Sequence, residues 1–163
     1  MSLLNSKFDI VSVDNPLAVA ALAQVLEVDN PPAIGVNGTP TPGTIPPGAI
    51  VMMNSSGKAV LATSINPLAA LPVLPFVTID GNMDYSGAFV QKLTVFAGGY
   101  TMKTDQYTNA AFLPGLPVTF AAGKVVLMVI GDLGIKQVFG FVGPGGLDTV
   151  EGVLEVIVPQ GAF

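Results

Sequence analysis

"PGLPVTFAAGKVVL", residues 114–127, repeats the pattern of "PGAIVMMNSSGKAVL", residues 47–61: Pro-Gly, two residues, Val, a variable run, Gly-Lys, one residue, Val-Leu. Each copy reads as a hairpin. Pro-Gly opens a strand, Gly57 or Gly123 takes the turn position that needs positive φ, and Lys58 or Lys124 begins the return strand. A phosphate-binding loop does not fit, because that loop needs glycine five residues before the Gly-Lys and a hydroxyl residue after it. Met52 and Val118 stand at the first position, Ala59 and Val125 at the second. The repetition therefore implies two similar halves of one β-rich body.

Working outward, residues 49 onward carry short β-branched and aromatic runs bounded by Gly, Pro, Asn or Asp. They predict strands near 49–53, 59–64, 73–79, 88–96, 100–104, 117–121, 124–131, 135–142 and 152–158. In "GVLEVIV", Leu154, Val156 and Val158 share a face opposite Glu155. "VFGFV" followed by "GPGG" (143–146) predicts a kinked strand and then a tight loop. The series predicts a mainly β fold, an antiparallel β-sandwich or barrel-like body over 49–163. Residues 1–34 differ in texture. "FDIVSV" (8–13) suits an extended segment, and Asn15-Pro16 followed by "LAVAALAQVLEV" predicts a short helix over 16–28, stopped by "DNPP". The reading is an N-terminal arm with a short helix (1–34), a Pro/Gly-rich loop or linker (35–48) and the β body.

Composition narrows the function. The 163-residue chain carries 17 charged residues, 10%, where an ordinary soluble domain of this length has about 40. Half the residues are hydrophobic, so much neutral surface is left for partners to cover. Histidine, cysteine, tryptophan and arginine are all absent. That removes thiol nucleophiles, Ser-His relays and the usual zinc sites. A net charge of −5 with six lysines repels a polyanion, so nucleic acid is not an expected partner. Neither a membrane span nor a signal peptide is expected: the apolar run 17–28 is about 18 Å long as a helix, against a core of about 30 Å. "DGNMDYSGAFVQ" (80–91) starts like a calcium loop but has Tyr85 and Gln91 where glycine and glutamate belong. No cofactor, metal or catalytic residue is expected.

"DYSGAFVQKLTVFAGGYTMKTDQYTNAAFLPGLPVTFAAGKVVL" (84–127), with "PPGAIVMMNSSGKAVLAT" (46–63), resembles head-decoration, or capsid cement, proteins of tailed double-stranded DNA bacteriophages. The shared order is a strand ending in "LTVF", a Gly-Gly-aromatic turn, "KTDQYT", Pro-Gly, a strand, Gly-Lys and a return strand. The resemblance implies a small non-enzymatic β protein, β-tulip or jelly-roll-like, made in the host cytoplasm. Such a protein works as a homotrimer on the outer surface of the mature virion capsid, bound to the major capsid protein near three-fold and quasi-three-fold axes. "MSLLNSKFDI" is the candidate contact arm, with Leu3, Leu4, Phe8 and Ile10 as anchors; an edge strand of the body is the competing reading. Two other functions stay open: a tail-associated or host-binding β-module, and a hydrolase of cell-wall sugar using two carboxylates among Asp80, Asp84, Asp105 and Asp132.

Overall fold

The computed structural model describes residues 7–14, 24–29, 45–63, 74–81 and 92–159. Among these the fold is mainly β, with two antiparallel sheets. The strands are β1 Phe8–Val13, β2 Gln24–Glu27, β3 Ile50–Met53, β4 Ala59–Leu61, β5 Phe76–Thr78 and β6 Lys92–Phe96. They continue with β7 Tyr100–Thr104, β8 Pro117–Ala121, β9 Lys124–Leu127, β10 Gly140–Asp148 and β11 Val153–Val158. The six-stranded sheet runs β1-β7-β11-β10-β8-β9 and the five-stranded sheet β2-β6-β5-β3-β4. The chain changes sheets between β6 and β7, at Gly98-Gly99, where Gly99 has φ +81°. The edges of the five-stranded sheet meet through a parallel bridge from Val28 to Ala59. The residues after β7 likewise reach β9, through the bridge from Tyr107 to Val125.

Two cores result from side chains alternating across the pleat. One joins Tyr100, Met102, Phe120, Phe139, Leu154 and Val156 of the six-stranded side to Ile50 and Val77 of the other. The second gathers Leu26, Val51, Ala59, Phe76, Leu93 and Val95. The neighbours Ile50 and Val51 go to different cores, as do Phe76 and Val77, so β5 and the first two residues of β3 are buried on both faces. Strands buried twice need continuous apolar sequence, which is what "AIV" (49–51) and "FV" (76–77) provide.

Three expectations are corrected. Residues 24–28, placed in a helix by the sequence reading, form β2 and the bridge at Val28; residues 15–23 lie outside the described set. Here period two wins: Leu26 and Val28 point inward, while Val25 and Glu27 face out. Glu27 stands directly opposite Lys92 on β6, and such tertiary pairing overrides a weak helix propensity. "GPGG" is not a loop after the strand but lies inside β10. The register jumps from Val142↔Val156 to Leu147↔Leu154, so residues 143–146 oppose Glu155 alone. The bulge wraps the Glu155 carboxylate, which accepts the Gly145 N–H at 3.1 Å. A Cβ at Gly143 would fall 2.5 Å from its Oε1. Finally, the predicted strand 124–131 stops at Leu127, and a short 3-10 turn, Ile130–Asp132, follows.

Candidate functional site

The two Pro-Gly…Gly-Lys units are both hairpins, β3–β4 and β8–β9, but their turns differ. Asn54 organises the first: its Oδ1 accepts the N–H groups of Ser56 and Lys58, and Gly57 takes φ +75° in open space. The second is a two-residue turn, Ala122-Gly123, with φ +49° and +77°. Gly123 enters between the strands of the first hairpin. Ile50 donates its N–H to the Gly123 carbonyl at 2.8 Å, and Gly123 donates to the Ala62 carbonyl at 2.9 Å. The repeated unit therefore staples one sheet to the other. Lys58 is half-buried and Lys124 exposed.

Of the proposed anchors, Phe8 and Ile10 lie on β1 and pack, partly buried, against the first core; Leu3 and Leu4 lie outside the described residues. The β1 end of the sheet carries a groove of about 460 Å³ lined by Lys7, Phe8, Asp9, Lys103, Asp148, Glu151 and Val153. Five of the chain's 17 charged residues meet there. Strand register builds it, with Asp9 opposite Lys103 and Asp148 opposite Val153. Lys7 Nζ reaches the Glu151 carbonyl at 2.6 Å and its carboxylate at 3.6 Å. Both side chains are more than half exposed, so the pair contributes at most about 1 kcal/mol. Asp148 Oδ1 accepts the N–H groups of Val150 and Glu151. The Glu151 N–H, the largest influence, holds this carboxyl below the usual range, helped by Val150 and by Lys103 and Lys7 nearby. The groove is mixed in sign, with Lys7 and Glu151 paired in it.

A different surface lies beyond the open end of the β8–β9 hairpin. Met128 donates its N–H to the Pro117 carbonyl at 3.1 Å, at the end of the hairpin where residues 113–116 lead into β8 and residues 129–135 follow β9. Both segments expose aliphatic side chains: Leu113 64%, Leu116 37%, Val129 61%, Ile130 89%, Leu133 63% and Ile135 39%. Asp132 shapes the longer segment. Its carboxylate accepts the Val129 N–H at 3.0 Å and pairs with Lys136 Nζ at 2.9 Å. Its carbonyl accepts the N–H groups of Ile135 and Lys136. The Val129 N–H first, then Lys136, holds the Asp132 carboxyl below its usual value. A buried acid thus props an apolar lobe into solvent.

No family model, curated protein or solved structure matches the chain. Its chemistry must be read from the residues themselves. The carboxylates named for hydrolysis are engaged locally. Asp80 accepts the Thr94 N–H at 3.3 Å, Asp105 holds the Lys7 N–H and Gln106 Nε2, and Asp132 props the lobe; Asp84 lies outside the described residues. Among the described residues, no group of three or more acidic side chains is placed to hold a metal ion. Sequence reasoning missed the lobe because "KVVLMVI" looks like one long strand. Gly131 and Gly134, flanking Asp132 and Leu133, were the available turn signal.

Proposed function

We propose that the chain is a structural virion protein, a decoration or cement protein that binds the outer surface of a mature tailed-phage capsid and stabilises it. The observation that carries this reading is the set of exposed aliphatic side chains at 113–116 and 129–135 on a chain with 10% charged residues. Apolar surface of this kind marks association sites. The resemblance of residues 46–63 and 84–127 supports the same reading. On it, the two sheets form a sandwich or barrel-like body, the protein is a homotrimer rather than an enzyme, and its partner is the major capsid protein.

The mechanism is mass action. A protein that binds the assembled shell and not its dissociated subunits stabilises the shell by RT ln(1 + [L]/Kd) per site. Symmetry repeats that term over every site, and multivalent contact by a trimer deepens it. The test is cosedimentation of the purified protein with expanded and with immature capsids. Binding to expanded shells, with a raised shell melting temperature, is the expected result. A protein that ignores both shells refutes the reading.

A further inference from the structure

We propose that β1 is a detachable edge strand: residues 7–14 lift off β7 as one unit while the rest of the two-sheet body stays folded. This release is separate from shell binding and does not depend on it.

Three observations carry it. The first is burial. Among the described strands β1 is the one without a buried residue: Phe8, Ile10 and Val13 are only partly covered where they pack on the first core. Each of the other described strands contributes at least one buried residue. Little apolar area therefore returns to water when β1 leaves, and that area sets the main cost.

The second is closure. β1 pairs with β7 alone, at the outer edge of the six-stranded sheet. Just past β7, Val125 of β9 donates its N–H to the Gln106 carbonyl at 2.9 Å, and Thr108 donates to the Val125 carbonyl at 3.0 Å. The other five strands are thus tied end to end without β1. Its departure breaks no bond among the strands that remain.

The third is fastening. The β1–β7 ladder shifts register between Ile10 and Ser12, which leaves Val11 out of the pairing and 49% exposed. Polar contacts gather at the two ends. Lys7 donates its N–H to Asp105 Oδ2 at 2.9 Å, its carbonyl accepts the Asp105 N–H at 3.0 Å, and its ammonium reaches Glu151. At the other end Asp14 donates its N–H to the Gly99 carbonyl at 2.9 Å. A strand pinned at both ends and interrupted in the middle leaves in one step, where an unpinned end would fray residue by residue.

Detached, the segment carries Phe8, Ile10 and Val13 free of the core and leaves the outer edge of β7 open to an added strand. The contact-arm and edge-strand readings of Phe8 and Ile10 then describe two states of the same residues.

The experiment is native-state hydrogen exchange of the full chain, read residue by residue by NMR in increasing urea. The β1 amides bonded to β7, and the β7 amides bonded back to β1, are expected to share one opening equilibrium and one urea dependence. They should exchange at least about 100-fold faster than the amides of β8 and β11. The alternate β7 amides, which face β11, should exchange with the body and serve as the internal control. Val118→Ala, at a fully buried site on β8, should speed exchange of the body amides at least about 10-fold and leave the β1 set unchanged, because the body is intact in both states of β1. Should that variant fail to fold, the wild-type profile decides alone. β1 amides that exchange together with those of β8 and β11, or that speed with them in Val118→Ala, overturn the proposal. β1 amides that each follow a rate of their own, with no urea dependence, show fraying and overturn it equally. Cosedimentation with shells, whichever way it falls, leaves either result standing.

Discussion

Replacing Gly123 with alanine should cost clearly more than the same change at Gly57, although the two sit in the same sequence pattern. Both have φ near +75°, so alanine brings a left-handed penalty of about 1–2 kcal/mol at each. At Gly57 nothing lies within 4 Å of the new Cβ. At Gly123 the Cβ would fall 2.5 Å from Leu61 Cδ2 and 3.3 Å from the Ile50 carbonyl oxygen. Leu61 can rotate away, but the Ile50 oxygen is held by the bond from Ala62. Overpacking of this kind adds about 1–3 kcal/mol. Urea unfolding should therefore separate the variants by about 1 M in midpoint at a slope of about 2 kcal/mol/M. In a Leu61→Ala background most of the excess at Gly123 should vanish, which a double-mutant cycle reads directly. Equal midpoints for Gly57→Ala and Gly123→Ala would refute the staple.

Tyr100 is wholly buried and its hydroxyl has no hydrogen-bond partner among the described residues; burial also pushes its pKa well above the ordinary phenol value. Tyr100→Phe should leave stability unchanged or raise it by about 1 kcal/mol, and a loss of more than 1 kcal/mol in urea titration would reveal a partner. Ala122→Asn, at φ +49° before Gly123, should stabilise by about 0.5–1 kcal/mol, because Asn-Gly suits this two-residue turn; a lower thermal midpoint would contradict the turn geometry. Asp132 and Asp148 both have carboxyl pKa values below the ordinary 3.8. Their stabilisation is thus fully present above that value and lost as pH falls through the lower folded values. Urea midpoints should be flat near neutrality and drop in strong acid, and Asp132→Asn should flatten part of that drop; a profile identical to wild type would remove Asp132 from the account.

The hairpins were legible because Pro-Gly, Gly-Lys and β-branched runs act locally, and so was the inward face of Leu154, Val156 and Val158. The strand at 24–27 was not. Its pairing partner, β6, lies some 70 residues away, and only that pairing decides between period two and the helix propensity of "LAVAALAQ". The bulge at 143–146 was hidden for the same reason: four residues fit opposite one because Glu155 fills the space, a fact about β11 and not about "GPGG". The lobe turned on Asp132, whose carboxylate bonds to a backbone group three residues earlier. A single acidic residue after "VLMVI" gives little warning of that.

β7 lies between β1 and β11, antiparallel to both, so β1 and β11, the first and last strands among the described residues, run parallel to each other about 10 Å apart. Tension applied between Phe8 and Val158 pulls these strands in opposite directions along their own axes. The hydrogen bonds from β7 to each neighbour are then loaded together in shear, where a peeling geometry would break them one at a time. Rupture must release the whole β1–β7 or β7–β11 ladder at once. A chain joined this way resists being stretched end to end far better than its modest size suggests, a property that single-molecule pulling would measure as a high unfolding force.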